Sequence, residues 1–398
     1  MKEHPSAYSR KSIKVCHVVS ADITLKFILF DFLKDLQESG FEVHAVSSNG
    51  KWVQEIRGEG IQVKIIAITR KLFTPVADLL AVIQLVRFFR KERFDIVHTH
   101  TPKATFLGQI AAFLARVPVR VTTIHGLFFQ RGSSWKKKLV FVPVEYIVAK
   151  IVHHAFLVNR EDARLLADWK IYPPEKMTHL GGGVDIERFN PDRISGQFIN
   201  QKKRELGIQS SQEVIGIVAR LVEEKGFLPL FEAFARVLKH YPRAVLMAVG
   251  PHEPDKKDAL DPDAVKEYGI ERNVLFLGER TDTPELYALM DMLVLPSYRE
   301  GLGISLIEAS AMEKPVVASN IRGCREVVEH EKTGLLVPSG NPEELAKALL
   351  FILSHPREAN AMGKAGRKKI EQEFNEKFLF DIAKKEYQAL LKKQHLHV

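Results

Sequence analysis

Glu300 and Glu308 have seven residues between them, and Gly301, Leu302 and Gly303 follow the first directly. Upstream, Met292 to Leu295 is a short apolar run stopped by Pro296-Ser297, the pattern of a buried strand in a parallel sheet. From about Ile304 the apolar residues Ile304, Ile307 and Ala311 recur at helical spacing. Glu300 is thereby placed at the carboxyl end of a strand and Glu308 one turn into the next helix, on the sheet edge where open parallel sheets bind ligands. A carboxylate on the early helix can accept hydrogen bonds from both hydroxyls of a ribose, and one on the loop can meet sugar hydroxyls further along the same ligand. Backbone N–H groups of Gly301, Leu302 and Gly303, aimed at a helix start, suit a phosphate between them. Taken singly, such glutamates are more often solvated surface residues.

A second, cationic turn has the same form. Arg220 ends the apolar run that starts at Val214, and Lys225 lies five residues later, just before Gly226 and a helical stretch. Two cations beside a helix amino terminus would hold a diphosphate, through charged hydrogen bonds worth roughly 1.5–3 kcal/mol each. Without context they are equally a solvated pair flanked by Glu223 and Glu224.

These turns need sheets to carry them, and the chain supplies enough for two. It has 398 residues, 45% of them hydrophobic and 27% charged, which suits two domains with a core each. Apolar runs at Ile13–Val19, Phe41–Val46, Val63–Ile68, Ile96–His98 and Val119–Thr122 alternate with helical segments at Ile28–Gln37, Leu79–Phe89 and Thr105–Leu114. Leu157-Val158-Asn159 and Met177-Thr178-His179 read as the last strands of that series. A second series starts at Val214 and runs through strands at Ala244–Val249, Val274–Leu277, Met292–Leu295, Val316–Ala318 and Gly334–Val337, with helices between, one of them near Ala264–Tyr268. Such βαβα alternation predicts an α/β protein with two Rossmann-like, doubly wound domains facing a cleft. The expected boundaries are 1–184 and 185–377, with a terminal amphipathic helix in 378–398 that crosses back to the first domain.

Composition narrows the setting. Residues 1–193 hold 29 Lys and Arg against 19 Asp and Glu, whereas the remainder holds 29 against 30, so the whole +9 excess lies in the first half. A basic domain joined to a neutral one suggests an anionic partner, whether lipid headgroups, a phosphorylated acceptor or nucleic acid. Cys16 and Cys324 suggest neither a disulfide framework nor a metal site. The polar start and the lack of a long apolar stretch imply a cytoplasmic protein.

Together, Arg220 to Gly226, Pro296-Ser297 with Glu300-Gly301 and Glu308-Ala309, Lys314-Pro315-Val316-Val317 and Gly334-Leu335-Leu336-Val337 resemble the nucleotide-sugar half of retaining family-4 glycosyltransferases with the GT-B fold. The resemblance covers most of residues 175–350. It implies that Glu308 holds the ribose, Glu300 the donor sugar, and Arg220 with Lys225 the diphosphate. In the first half, the family places a histidine over the donor sugar at the position of His125, and His98 to Ala104 looks like its sugar-domain loop, which brings in His100 and Lys103. Alternatively His125 is an ordinary loop histidine. Where many members have a glycine pair after the first strand, this chain has Ser20-Ala21-Asp22-Ile23-Thr24-Leu25. That variant, with Arg322 to Glu326, is similar to the bacterial subgroup that builds capsule, O-antigen and other polyprenyl-linked glycans.

The resemblance implies no cofactor, since a UDP-sugar is a co-substrate, and it implies no nucleic-acid partner. No metal site is expected either. Asp261-Pro262-Asp263 is read as a helix start capped by Asp263, and His98 and His100 are expected to diverge to opposite faces of a strand and so make a poor metal pair. Lys136-Lys137-Lys138, between Trp135 and Leu139-Val140, suits an anionic membrane surface, and equally a core helix with a solvated first turn. The functional alternatives are transfer to a soluble acceptor, a nucleotide-sugar 2-epimerase, and a non-catalytic nucleotide-sugar sensor.

Overall fold

Apolar runs that read as buried strands do form them. In the computed structural model, which describes residues 12–394 except 70, 72, 255 and 257, every paired strand is parallel to its neighbours. The first sheet comprises β1 (Lys14–Val18), β2 (Glu42–Ser47), β3 (Gln62–Ile65), β4 (Ile96–His100), β5 (Val119–Ile124), β6 (His154–Leu157) and β7 (Met177–His179), in the order β3-β2-β1-β4-β5-β6-β7. The second comprises β8 (Val214–Val218), β9 (Val245–Val249), β10 (Val274–Gly278), β11 (Met292–Leu295), β12 (Val316–Ser319) and β13 (Gly334–Val337), in the order β10-β9-β8-β11-β12-β13. The order reverses between β1 and β4 in one sheet and between β8 and β11 in the other. At such a switch point the crossover helices leave to opposite faces, which opens a crevice beyond the strands' carboxyl ends.

Contacts divide the chain into two units, one ending at Leu180 and resuming at Phe380, the other Gly181–Leu379. In the first, Val15 and Val43 pack with Leu33, Leu36 and Ile56 of the helices on one face, and Cys16 and Val97 pack with Leu85, Phe89 and Leu107 on the other. Adjacent strand residues thus feed two cores, as the two-residue period requires. The terminal helix Glu376–Lys393 buries Ala383, Tyr387, Leu390 and Leu391 in the first of these cores. The second unit builds its core from β8, β9, β11 and β12 with Phe227, Phe231 and Phe234 of the helix Phe227–Val237.

Several expectations need correction. Helical structure after β1 begins at Asp22 rather than Ile28, through a π-helical stretch Leu25–Leu29 into Phe30–Glu38. Asp22 anchors it, since its carboxylate accepts the Trp52 N–H at 2.8 Å and the Ile23 N–H at 3.0 Å. The sixth strand stops at Leu157 because the Asn159 side chain caps the helix Arg160–Asp168, accepting from the Asp162 N–H at 2.7 Å. Near Ala264 the helix is 3-10, Pro262–Tyr268, and Asp261 rather than Asp263 caps it. Asp263 instead pairs with Lys266 at 2.9 Å.

One glycine seats the turns after β8 and β11 against each other. Gly226 has φ +76°, and a Cβ there would fall 2.1 Å from the Pro296 carbonyl oxygen. Gly226→Ala is expected to cost at least about 2 kcal/mol, combining left-handed strain with a backbone displacement. A urea midpoint equal to that of the native protein would rule out this packing.

Candidate active site

The turns after β8 and β11 are neighbours at the switch point of the second sheet, and side chains lace them together. Glu223–Lys225 forms one 3-10 turn that Gly226 converts into the helix Phe227–Val237. Lys225 Nζ donates to Glu300 Oε1 at 2.6 Å, and Ser297 Oγ donates to the same oxygen at 2.8 Å. Glu224 binds Arg299, and its carbonyl accepts the Tyr298 N–H at 2.9 Å. Glu300 is only 9% exposed, so it is no solvated loop residue. Gly323 closes the cradle, because a Cβ there would lie 2.6 Å from the Glu300 carbonyl oxygen.

Arg220, two residues past β8, is 40% exposed and meets Glu253 at 3.2 Å. Glu308 lies in the helix Ile304–Ala311, where its carboxylate accepts from the Tyr287 hydroxyl at 2.7 Å. Burial pushes its carboxyl up to about pKa 7, against the pull of that hydrogen bond and of Arg188. Leu302 turns its side chain inward over Gly182, where an added Cβ would be 2.4 Å from a Leu302 methyl. With its side chain turned inward, Leu302 has its backbone amide to offer a ligand.

The first unit gathers histidines at its own switch point. His98 and His100 do not diverge: residues two apart in a strand share a face, and their ring centroids lie 4.1 Å apart. His17 of β1 joins them, because β1 pairs with β4 in the register His17↔His98. His17 Nδ1 and His100 Nε2 are 3.0 Å apart, His100 Nδ1 and His125 Nε2 are 3.2 Å apart, and His98 lies between Thr123 Oγ1 at 2.7 Å and the Tyr387 hydroxyl. Ring nitrogens of His17, His98 and His100 fall within 4.8 Å of one another, a spacing compatible with a metal ion, contrary to the expectation for His98 and His100. Burial drives the pKa of His17 down to about 3, that of His125 to about 4, and those of His98 and His100 well down, so all four are neutral near pH 7. Lys103 starts the helix Pro102–Leu114, yet its ammonium is held by Asp78 at 2.8 Å, Thr69 at 2.8 Å, Thr74 at 2.7 Å and the Lys71 carbonyl at 2.6 Å. It pins a loop.

The family model for glycosyl transferases group 1 matches residues 198–369, and that for glycosyltransferase family 4 matches residues 28–188. The chain belongs to these glycosyltransferases. Arg220, Lys225, Glu300 and Glu308 lie in the group 1 segment, and His100, Lys103 and His125 in the family 4 segment. An Escherichia coli UDP-Gal:alpha-D-GlcNAc-diphosphoundecaprenol alpha-1,3-galactosyltransferase is 28% identical to this glycosyltransferase over 92% of the chain and 94% of its own length. The capsular polysaccharide biosynthesis glycosyltransferase CapM of Staphylococcus aureus is 26% identical over 96% and 98%. The solved structure of Anabaena HepE in complex with UDP-glucose shares the fold at a TM-score of 0.81 and 21% identity, covering 95% of this chain and all of that one. The architecture is GT-B.

The lysine cluster of the glycosyltransferase opens the helix Trp135–Ile151, capped by Ser134. This helix is buried towards its end and exposed at its start. Val148 and Ala149 enter a core, whereas Trp135, Leu139 and Val140 are 69%, 66% and 52% exposed beside the lysines. The helix Pro75–Glu92 also exposes Val76, Leu79 and Leu80. No helix among the described residues is long and apolar enough to cross a membrane.

Proposed function

We propose that this glycosyltransferase moves a hexosyl or N-acetylhexosaminyl group from a UDP-sugar to a hydroxyl of a polyprenyl-diphosphate-linked glycan, with retention of configuration. The observation that carries the donor half is the Lys225–Glu300 contact of 2.6 Å across the β8/β11 switch point. It joins a cation suited to a leaving diphosphate to a carboxylate suited to a sugar hydroxyl. Lys225 uses one of its three donors on Glu300, so two remain for phosphate oxygens. Arg220 adds a second charge on the same edge, and the pair stabilises negative charge as the glycosyl bond breaks. Glu308 is the ribose acceptor, the Gly301–Gly303 amides orient the diphosphate-sugar, and His125 with His100 serves the transferred sugar. No protein nucleophile is assigned: the acceptor hydroxyl attacks from the face the diphosphate leaves, and the leaving phosphate oxygen takes its proton. The UDP choice is supported by the donor in the E. coli relative's name and by the ligand of the Anabaena structure, and the lipid-linked acceptor by the same E. coli name.

The deciding assay incubates the protein with UDP-sugars, an undecaprenyl-diphosphate-linked sugar and EDTA. Transfer with the α-anomeric linkage preserved, within about twofold of the rate without chelator, is the expected result. Hydrolysis or epimerisation of the donor without transfer would refute the acceptor assignment, and loss of rate restored by a divalent ion would refute metal independence.

We place the enzyme on the cytoplasmic face of the plasma membrane, held peripherally by the exposed start of the helix Trp135–Ile151. Each lysine near an anionic surface contributes about 1 kcal/mol. Lys136→Glu with Lys137→Glu should therefore lower binding to phosphatidylglycerol vesicles by at least about tenfold. Unchanged sedimentation with the vesicles would exclude this surface. Lys138 is left intact because its ammonium holds the Arg131 carbonyl at 2.7 Å.

A further inference from the structure

Arginines gather at the amino-terminal edge of the first sheet, opposite the edge that carries His100. Arg120 at the start of β5 and His153 just before β6 wall a cavity of about 730 Å³. Arg90, from the last turn of the helix Pro75–Glu92, and Arg116, just past the helix Pro102–Leu114, complete it. None of the lining residues is a carboxylate.

Helix capping explains part of this arrangement. Arg90 Nη2 donates to the Leu114 carbonyl at 3.0 Å, and Arg120 donates from Nε to the Ile151 carbonyl at 3.0 Å and from Nη1 to the Val117 carbonyl at 2.8 Å. The carboxyl ends of three helices favour cations there, each equivalent to about half a negative charge. That offsets at most about half of three guanidinium charges. Among the described residues no ion pair neutralises Arg90, Arg116 or Arg120. Among the described residues the Arg116 side chain has no hydrogen-bond partner, and its backbone is left-handed at φ +60°.

Capping leaves one contact unexplained. The Arg120 backbone N–H donates to His153 Nδ1 at 3.1 Å, so the imidazole proton of the neutral ring belongs to Nε2. Yet His153 Nε2 lies 3.2 Å from Arg120 Nη2, which is also a donor. Two N–H donors cannot satisfy each other, and both are at the wall of a cavity large enough for a small ligand. Protonating His153 would not help, since Arg120 and Lys176 oppose it and burial lowers its pKa to about 4.

We propose that this cavity binds a phosphate group. Its oxygens accept from His153 Nε2–H and Arg120 Nη2, and the guanidiniums of Arg90 and Arg116 supply the balancing charge. Phe113, with its ring 5.6 Å from the Arg120 guanidinium, offers an apolar wall for whatever carries the phosphate. The group belongs to a soluble phosphorylated compound or to a lipid headgroup. At the amino edge of the sheet it does not meet the residues assigned to transfer, so it would dock or regulate the enzyme.

Calorimetry with inorganic phosphate tests this on the full chain, native and Arg90→Gln/Arg116→Gln. Arg120 is avoided because it holds two carbonyls. Phosphate bound near Arg220 and Lys225 is common to both proteins, so a difference isolates the cavity. At least tenfold weaker binding in the double variant, with circular dichroism unchanged, is expected. Equal binding in the two proteins, or none in the native one, overturns the proposal. In ¹⁵N-histidine spectra, with the His153 signal identified by its loss in His153→Asn, phosphate should shift that signal, and a fixed His153 signal would also overturn it. Vesicles of phosphatidylglycerol against phosphatidylcholine distinguish the sources. Retention on the anionic vesicles that falls in the double variant assigns a headgroup, and retention that does not change assigns a soluble phosphate.

Discussion

Lys225→Met is expected to lower kcat by about 10²–10³ while leaving UDP binding within about tenfold. In the proposed mechanism the ammonium acts on charge that develops as the diphosphate departs, so its loss should weigh more on the transition state than on the bound donor. It also leaves Glu300 buried with only the Ser297 hydroxyl for its Oε1. Breaking a pair whose members are 16% and 9% exposed should cost about 2–3 kcal/mol of stability, less than for a fully dry pair because water still reaches it. The two effects are separable. Lys225→Met/Glu300→Gln removes the stranded charge, so it should regain most of the stability and none of the activity. Urea denaturation and steady-state transfer read both quantities. A single variant within threefold of native kcat would remove Lys225 from the mechanism.

Glu308→Gln is expected to weaken UDP by about 1.5–3 kcal/mol, the value of a hydrogen bond to a charged group. The same carboxyl predicts a pH dependence with a definite sign. Its pKa is raised by burial from 4.5 to about 7, so the native state holds a proton that the unfolded chain releases between those values. The stability this contributes is complete below about pH 4.5 and is lost as pH rises through about 7, a loss of order 2 kcal/mol for a partly exposed residue. Glu308→Gln should flatten that slope. Under the proposed donor binding, nucleotide affinity should run the other way, with ribose hydroxyls donating to the ionised carboxylate. Native affinity for UDP at pH 6 should be about tenfold below its value well above pH 7, and the glutamine variant should show no such change. Parallel pH profiles for the two proteins would show that another group controls binding.

Other placements depend on positions far apart in the chain. Sequence reading picked out Lys225 and Glu300 as separate cations and acids, but their bond spans 75 positions. It exists because β8 and β11 are adjacent in the sheet order. His17 escaped notice altogether: a single histidine in an apolar run is a poor signal until β1 is known to lie beside β4 in register with His98. The error over His98 and His100 was one of periodicity, since a two-residue step returns a strand side chain to the same face. Lys103 shows the reverse case, a cation in a well-placed motif whose charge is taken up by Asp78.

What the amino-acid sequence determined by itself was the alternation of strands and helices, the two parallel sheets that follow from it, the spacing of Glu300 and Glu308, and the family these motifs resemble. Those are local properties: an apolar run, a glycine turn and a helical period are written in residues within a few positions of each other. Only the tertiary structure decided which charges neutralise each other. The Lys225–Glu300 pair, the histidine cluster and the arginines about the 730 Å³ cavity each join strands or helices distant in sequence. Burial and partners set a side chain's charge state, and both depend on strand order at the switch points, which no local pattern encodes.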